Sequence, residues 1–140
     1  MSKDTLKASV SWQKDMEYLC KDSVGHEILF GASKAFGGTG EYPIPLEGLL
    51  ATAGACIAVN TQIILRQRGK DYTYFNVEVQ GTRKDEYPRI FEKIHAKIKI
   101  KGNLEKDEVK EIIQEVITKF CPITVILGLT AELTWDYTMD

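Results

Sequence analysis

The segment from Leu46 to about Arg68 constrains the fold of this chain more than any other feature. It follows Pro45, a residue that suits the first position of a helix, and only two glycines within it oppose helix formation. A helix of this length spans about 35 Å. Its first half, residues 49–59, is apolar almost all round. We therefore predict a long central helix that is buried on most sides.

Charge and polarity argue against a membrane or nucleic-acid partner. The apolar stretch Leu46–Leu65 contains Glu47 and Asn60, which favours a core helix over a membrane span. The N-terminus, residues 1–9, is polar and has no apolar signal-peptide core. The formal net charge is −2 and the basic residues are scattered, unlike a surface built for phosphate backbones. We expect a cytoplasmic protein that binds neither nucleic acid nor membrane.

The rest of the chain alternates between strand and helix patterns. In residues 91–101 apolar residues alternate with lysines and a histidine, which is typical of a strand with one face in water. The predicted order is β-β-β-α-β-β-α-α-β, an α+β fold with antiparallel sheets packed on the long central helix. The 140 residues suit a single domain, 1–140. The predicted strands are 7–12, 17–20, 26–30, 75–80, 91–101 and 130–137, and the predicted helices are 46–68, 105–119 and 122–128.

Three cysteines are the candidates for chemistry: Cys20, Cys56 and Cys121. An odd number in a cytosolic chain is a poor disulfide framework. Cys56 lies within the most apolar helix, where a cysteine usually packs as a small hydrophobic residue. Cys121 precedes Pro122, so it adjoins the start of the last short helix, where free amide hydrogens favour a thiolate. A buried cysteine at a corner between helices is an equally good interpretation of Cys121.

Metal and phosphate sites are poorly supported. The sequence has no C-x-x-C pair, and its histidines, His26 and His95, lie far from the cysteines. The glycine-rich residues 37–40 lack the Gly-Lys-Ser/Thr ending of a phosphate loop. We expect neither a bound cofactor nor a metal, and interpret both histidines as structural or solvated and Cys20 as a strand residue without chemistry.

Three motifs follow one another along the chain: Pro45-x-Glu47-x-Leu49-Leu50 with Gly54-Ala55-Cys56, then Asp85-Glu86-Tyr87-Pro88-Arg89-Ile90-Phe91, and then Phe120-Cys121-Pro122-Ile123. Taken in this order, they resemble the OsmC/Ohr family, and the resemblance extends over residues 6–137. The middle motif is similar to a hairpin of a cytosolic OsmC-like branch.

The resemblance implies an OsmC-like fold, an intertwined homodimer and a thiol-dependent peroxidase that reduces organic hydroperoxides in oxidative-stress defence. By this resemblance Cys56 is the peroxidatic thiol and Cys121 the resolving one. Cys56 would become a sulfenic acid, and Cys121 would condense with it to a disulfide. An external dithiol, often lipoyl-linked in the organic-hydroperoxide branch, would reduce that disulfide.

The chain departs from the family pattern where the thiolate is stabilised. Active members use an arginine ahead of the first-cysteine helix and an acid that orients it, whereas this chain has no arginine before Arg66. Lys34 is a poor substitute because it lacks the planar fork of arginine. Leu46 stands at the usual acid position. Glu47, one residue later, would face away from Cys56 on an ideal helix, so it is the weaker catalytic candidate and suits a helix N-terminus better. The alternative function is an OsmC-fold ligand-binding or structural dimer with little peroxidase activity.

Overall fold

The computed structural model describes residues 4–139 and divides into two compact units, one ending at Leu49 and one beginning at Leu50. The α+β class and the predicted order of elements are confirmed. Within the described residues the strands are β1 (Ala8–Lys14), β2 (Glu17–Asp22), β3 (Glu27–Gly31), β4 (Tyr72–Arg83), β5 (Phe91–Gly102) and β6 (Glu132–Met139), and the helices are α1 (Pro45–Gln67), α2 (Lys106–Glu115) and α3 (Pro122–Gly128). A 3-10 turn (Lys34–Phe36) precedes α1, and a π-helical turn (Val116–Phe120) follows α2.

The first unit contains an antiparallel meander of β1, β2 and β3. The turn between β2 and β3 is built on Asp22, whose carboxylate accepts the backbone N–H groups of Val24, Gly25 and His26 at 2.8–3.0 Å. The His26 ring nitrogen Nδ1 lies 2.7 Å from the same carboxylate, and this hydrogen bond is the main reason that the pKa of Asp22 is lowered. Gly25 adopts a φ of 109°, which glycine tolerates.

One face of this meander is apolar and open to solvent. The strand register aligns Val10 with Cys20 and Cys20 with Ile28, and residues paired across strands point to the same face. Val10, Trp12 and Ile28 are 65%, 67% and 58% exposed. We call these three side chains the apolar sheet face. Contiguous exposed apolar side chains are typical of interaction surfaces.

The second unit holds a mixed sheet of β4, β5 and β6. β4 and β5 pair antiparallel, as expected, whereas β5 and β6 pair parallel. This pairing differs from the prediction of antiparallel sheets because α2 and α3 lie between β5 and β6 and return the chain to the starting end of β5, which is how parallel neighbours are connected. The period-2 pattern of β5 is confirmed, with alternate residues from Ile94 to Ile100 buried and the lysines between them exposed.

A stripe of α1 packs on this sheet at close range. Its buried residues, at helical spacing, are Ala53, Gly54, Ile57, Thr61 and Leu65. At Gly54 an added Cβ would lie 3.3 Å from Cγ2 of Val79, so the missing side chain lets the helix backbone approach β4. The stripe therefore sets the distance between α1 and the sheet.

The opposite side of α1 remains open. Val59 and Ile63 are 54% and 47% exposed, so the prediction of a helix buried on most sides is wrong for the single chain. The reason is that the elements of the second unit cover only one side of it. By length and composition alone α1 could cross a membrane, but it is one element of a soluble α+β fold.

The core of the second unit is where α1, β5 and α2 meet. Its fully buried members are mainly branched aliphatic residues, and Cys121 belongs to it, while Cys56 packs against it. The core residues are Ile57, Leu65, Ala96, Ile98, Ile100, Val109, Ile112, Ile113, Val116, Ile117 and Cys121.

Gly81 on β4 provides a test of this packing. A Cβ at this position would lie 2.6 Å from two ring atoms of Phe91 and 3.2 Å from Leu50. We expect Gly81→Ala to lower the free energy of unfolding by about 1–3 kcal/mol, because the ring must move within a packed region. Urea unfolding followed by circular dichroism measures the change.

Gly128 is the matched control, since a Cβ there meets no atom within 4 Å. Gly128→Ala should leave stability unchanged or raise it by up to about 1 kcal/mol, because alanine favours a helix. Equal losses in the two variants would show that Gly81 is not a close-contact position.

Candidate thiol site

Cys121 is positioned by the way in which α2 ends. The backbone N–H of Cys121 donates to the carbonyl oxygen of Val116 at 2.7 Å, a bond that closes the π-helical turn. The residue before a proline avoids the α-helical region, and Cys121, which precedes Pro122, is extended with φ −91° and ψ 104°. The chain therefore turns at Cys121 and begins α3 at Pro122.

Thr124 secures this turn from the inside. Its hydroxyl donates towards the carbonyl oxygens of Ile117 at 2.8 Å and Cys121 at 3.1 Å. Its backbone N–H donates to the sulfur of Cys121 at 3.4 Å, so Cys121 is the N-cap of α3. Cys121 is completely buried, with 0% of its surface exposed. The prediction that it adjoins the start of the last short helix is confirmed.

The two cysteines of the resemblance meet in this region. Cys56 is half-buried on α1, and Cys121 lies close enough to its thiol to raise the pKa of Cys56. Both are free thiols, as is Cys20. The fold therefore brings together residues 65 positions apart in sequence, one of them half-buried and the other completely buried.

Opposing effects act on ionisation of the Cys56 thiol. Burial raises its pKa, because the charged form loses hydration, and the adjacent Cys121 raises it further. The backbone N–H of Ile123 and the side chain of Asn60 act in the other direction, because each donates to the sulfur. The net result is a pKa above the ordinary value, so the thiol form predominates at neutral pH.

Asn60 is the site residue that the sequence reasoning missed. Its amide nitrogen lies 2.8 Å from the carbonyl oxygen of Cys56 and 3.4 Å from the sulfur of Cys56. Residues four apart share one face of a helix. The signal that could have found Asn60 is therefore its spacing from Cys56.

The other predicted candidates lie outside this contact. Glu47 is exposed in the first turn of α1, the place of an N-terminal helix acid, and its catalytic role stays a prediction. Lys34 is exposed in the 3-10 turn, where its side chain packs beside Gly40. Cys20 lies in β2.

Both histidines make hydrogen bonds to side chains in exposed parts of the sheets. The His95 ring lies between the Thr134 hydroxyl at 2.6 Å and the Asp136 carboxylate at 2.8 Å, on the lysine-rich side of β5. His26 belongs to the Asp22 turn. Within residues 4–139 no group of three or more His, Cys, Asp or Glu side chains could hold a metal ion.

Comparison with known proteins identifies the family. The family model described as OsmC-like protein matches residues 38–136. The protein YhfA of Escherichia coli K12 is 28% identical over 133 residues, which cover 94% of this chain and 96% of YhfA.

Solved structures agree in fold. An OsmC-like protein from Mycoplasma pneumoniae superposes with a TM-score of 0.83 at 16% identity, over 99% of both chains. An organic hydroperoxide resistance protein OsmC from Legionella pneumophila superposes with a TM-score of 0.71 at 11% identity, also over 99% of both chains. The chain belongs to the OsmC-like protein family, as its three motifs indicated.

Removal of the Cys121 thiol tests the coupling between the two sulfurs. Because Cys121 raises the pKa of Cys56, Cys121→Ala should shift the pH midpoint of Cys56 alkylation downwards. It should also speed the reaction with iodoacetamide at neutral pH by about threefold, because a larger fraction of Cys56 is then thiolate. Peptide-resolved mass spectrometry gives the rate at Cys56.

Cys20→Ala is the control and should leave this midpoint unchanged. A midpoint that stays the same or rises in Cys121→Ala would contradict the proximity of the two thiols.

Proposed function

We propose that this protein is a thiol-dependent peroxidase that reduces organic hydroperoxides through Cys56 and Cys121. The observation that carries the proposal is the proximity of the two free thiols, one half-buried and the other fully buried. Membership of the OsmC-like family suggests a stress-related redox function. The organic hydroperoxide resistance protein among its structural neighbours is consistent with the same theme.

The difference in exposure supports the assignment of roles. A hydroperoxide from solvent reaches Cys56 more readily than Cys121, so Cys56 is the peroxidatic residue and Cys121 the resolving one. The Cys56 thiolate attacks the outer peroxide oxygen, which forms an S–O bond and breaks the O–O bond. The alkoxide leaves and takes up the thiol proton, giving an alcohol and a sulfenic acid on Cys56.

Cys121 completes the oxidation. Its sulfur attacks the Cys56 sulfenic acid, an S–S bond forms, and the hydroxide that leaves takes the Cys121 proton to become water. An external dithiol, lipoyl-linked in the organic-hydroperoxide branch, would then return both cysteines to thiols and become a disulfide itself. This cycle needs no bound cofactor or metal and suits the reducing cytoplasm, where we place the protein.

Oxidation of the protein by cumene hydroperoxide is the direct test. We expect an intramolecular Cys56–Cys121 disulfide, detected by mass spectrometry of unreduced peptides. Cys121→Ser should instead accumulate a sulfenic acid on Cys56 that dimedone traps, because the resolving thiol is missing. Cys56→Ser should form neither product, and two free thiols in the treated wild-type protein would refute the peroxidase proposal.

The second candidate is a ligand-binding or structural dimer of the same fold with little peroxidase activity. The raised pKa of Cys56 and the lack of an arginine before Arg66 favour it, since peroxide attack requires a thiolate. Full retention of both thiols after peroxide treatment, together with a small apolar molecule retained in native mass spectrometry, would support this candidate.

We further propose that the working unit is an intertwined homodimer of single-domain chains. Apolar side chains that a soluble monomer would rarely leave open occur on α1, at Val59 and Ile63, and on the apolar sheet face of the first unit. Burial of such surface on a second copy of the chain would stabilise both.

The oligomeric state tests this part of the proposal. Light scattering coupled to size exclusion should give twice the chain mass of 15.8 kDa. Ile63→Lys should weaken the dimer, because a charge would enter an apolar contact. Gln114→Lys, at an exposed position of α2, is the matched control and should remain dimeric. A monomeric wild-type protein would rule out the dimer.

A further inference from the structure

The amide of Asn60 is held in one orientation by the backbone. Its nitrogen lies 2.8 Å from the carbonyl oxygen of Cys56. A carbonyl oxygen only accepts hydrogen bonds, so the group that faces it must be the NH2 and not the amide oxygen. The preceding turn of the helix thereby fixes which end of the side chain points towards Cys56.

The fixed amide nitrogen also faces the sulfur of Cys56, at 3.4 Å. An NH2 group carries two hydrogens, so it can donate to the carbonyl oxygen and to the sulfur together. A donor directed at sulfur favours the thiolate over the thiol, and Asn60 acts on Cys56 in this direction. This donor comes from the same helix as the cysteine, so it needs no other element to reach the sulfur.

We propose that Asn60 is a positioning residue that holds the Cys56 sulfur and stabilises its thiolate by hydrogen bonding. Together with the backbone N–H of Ile123, it gives the sulfur two neutral donors in a chain with no arginine before Arg66. Neutral donors stabilise a thiolate less than a guanidinium does, which agrees with a Cys56 that stays largely protonated at neutral pH. The inference deepens the peroxidase proposal and rests on it for its catalytic meaning.

Two variants distinguish the effect of the Asn60 hydrogen-bond donor from the effect of the size and shape of its side chain. Asn60→Ala removes the donor without adding charge, and alanine is the best helix former, so α1 should fold. Asn60→Asp keeps the size of the side chain but places a carboxylate beside the sulfur, where a like charge opposes the thiolate. Gln67→Glu is the control, since it makes the same amide-to-carboxylate change on α1 at a position about 16 Å from Cys56 along the axis.

The measurement is the pH profile of Cys56 alkylation by iodoacetamide, resolved by peptide mass spectrometry in a Cys20→Ser background. Asn60→Ala should slow alkylation at neutral pH by about threefold, and Asn60→Asp by about tenfold, each with a midpoint moved to higher pH. Gln67→Glu should match the parent protein. Circular dichroism confirms that each variant is folded.

Unchanged midpoints in folded Asn60→Ala and Asn60→Asp would overturn the inference. Alkylation involves no peroxide, so this result is independent of the proposed function. A parent protein that fails to reduce cumene hydroperoxide, while the Asn60 variants still shift the alkylation midpoint, would refute the peroxidase and leave the role of Asn60 standing.

Discussion

The packing of one stripe of α1 on the β4–β6 sheet is the constraint on which the rest of the second unit depends. Gly54 brings the helix backbone close to Val79, and Ile57 enters the core. Cys56 adjoins Ile57 in sequence, so the register that buries Ile57 also places the Cys56 thiol at the margin of the same core. Hydrophobic packing of the neighbouring residues therefore determines where the reactive Cys56 thiol lies, although such packing is not itself chemically specific.

The end of α2 supplies the second half of the site by a different means. Ile112 and Ile113 anchor α2 in the core, and the π-helical turn then adds a wider loop of backbone before Cys121. Turns of this kind interrupt regular hydrogen bonding and occur frequently at functional sites. Here the turn and the proline after it direct the Cys121 side chain back towards α1 instead of outwards along the helix axis.

The sequence predicted those features that depend on local patterns. The hydrophobic period predicted the alternation of β5, and Pro45 and the terminal glycine predicted the bounds of α1 to within one residue. The position of Cys121 before α3 followed from the proline that comes after it. The parallel pairing of β6 did not follow, because strand direction depends on the route taken by α2 and α3. The contact of Asn60 with the Cys56 sulfur depends on the side-chain rotamer of Asn60, which the sequence does not determine. The exposure of Val59 depends on which faces of α1 are covered by the rest of the chain, which is a property of the tertiary structure.

In the proposed cycle, the enclosure of Cys121 would give thiol–disulfide exchange at this site a fixed direction. If the pair were oxidised, an incoming thiol would approach the sulfur of Cys56 and not that of Cys121, which is completely buried. The mixed disulfide would then form on Cys56, and Cys121 would be the leaving group. The Thr124 N–H, 3.4 Å from the Cys121 sulfur, is already in place to receive the departing thiolate. A reductant would therefore be selected by the shape of the approach to a single sulfur atom.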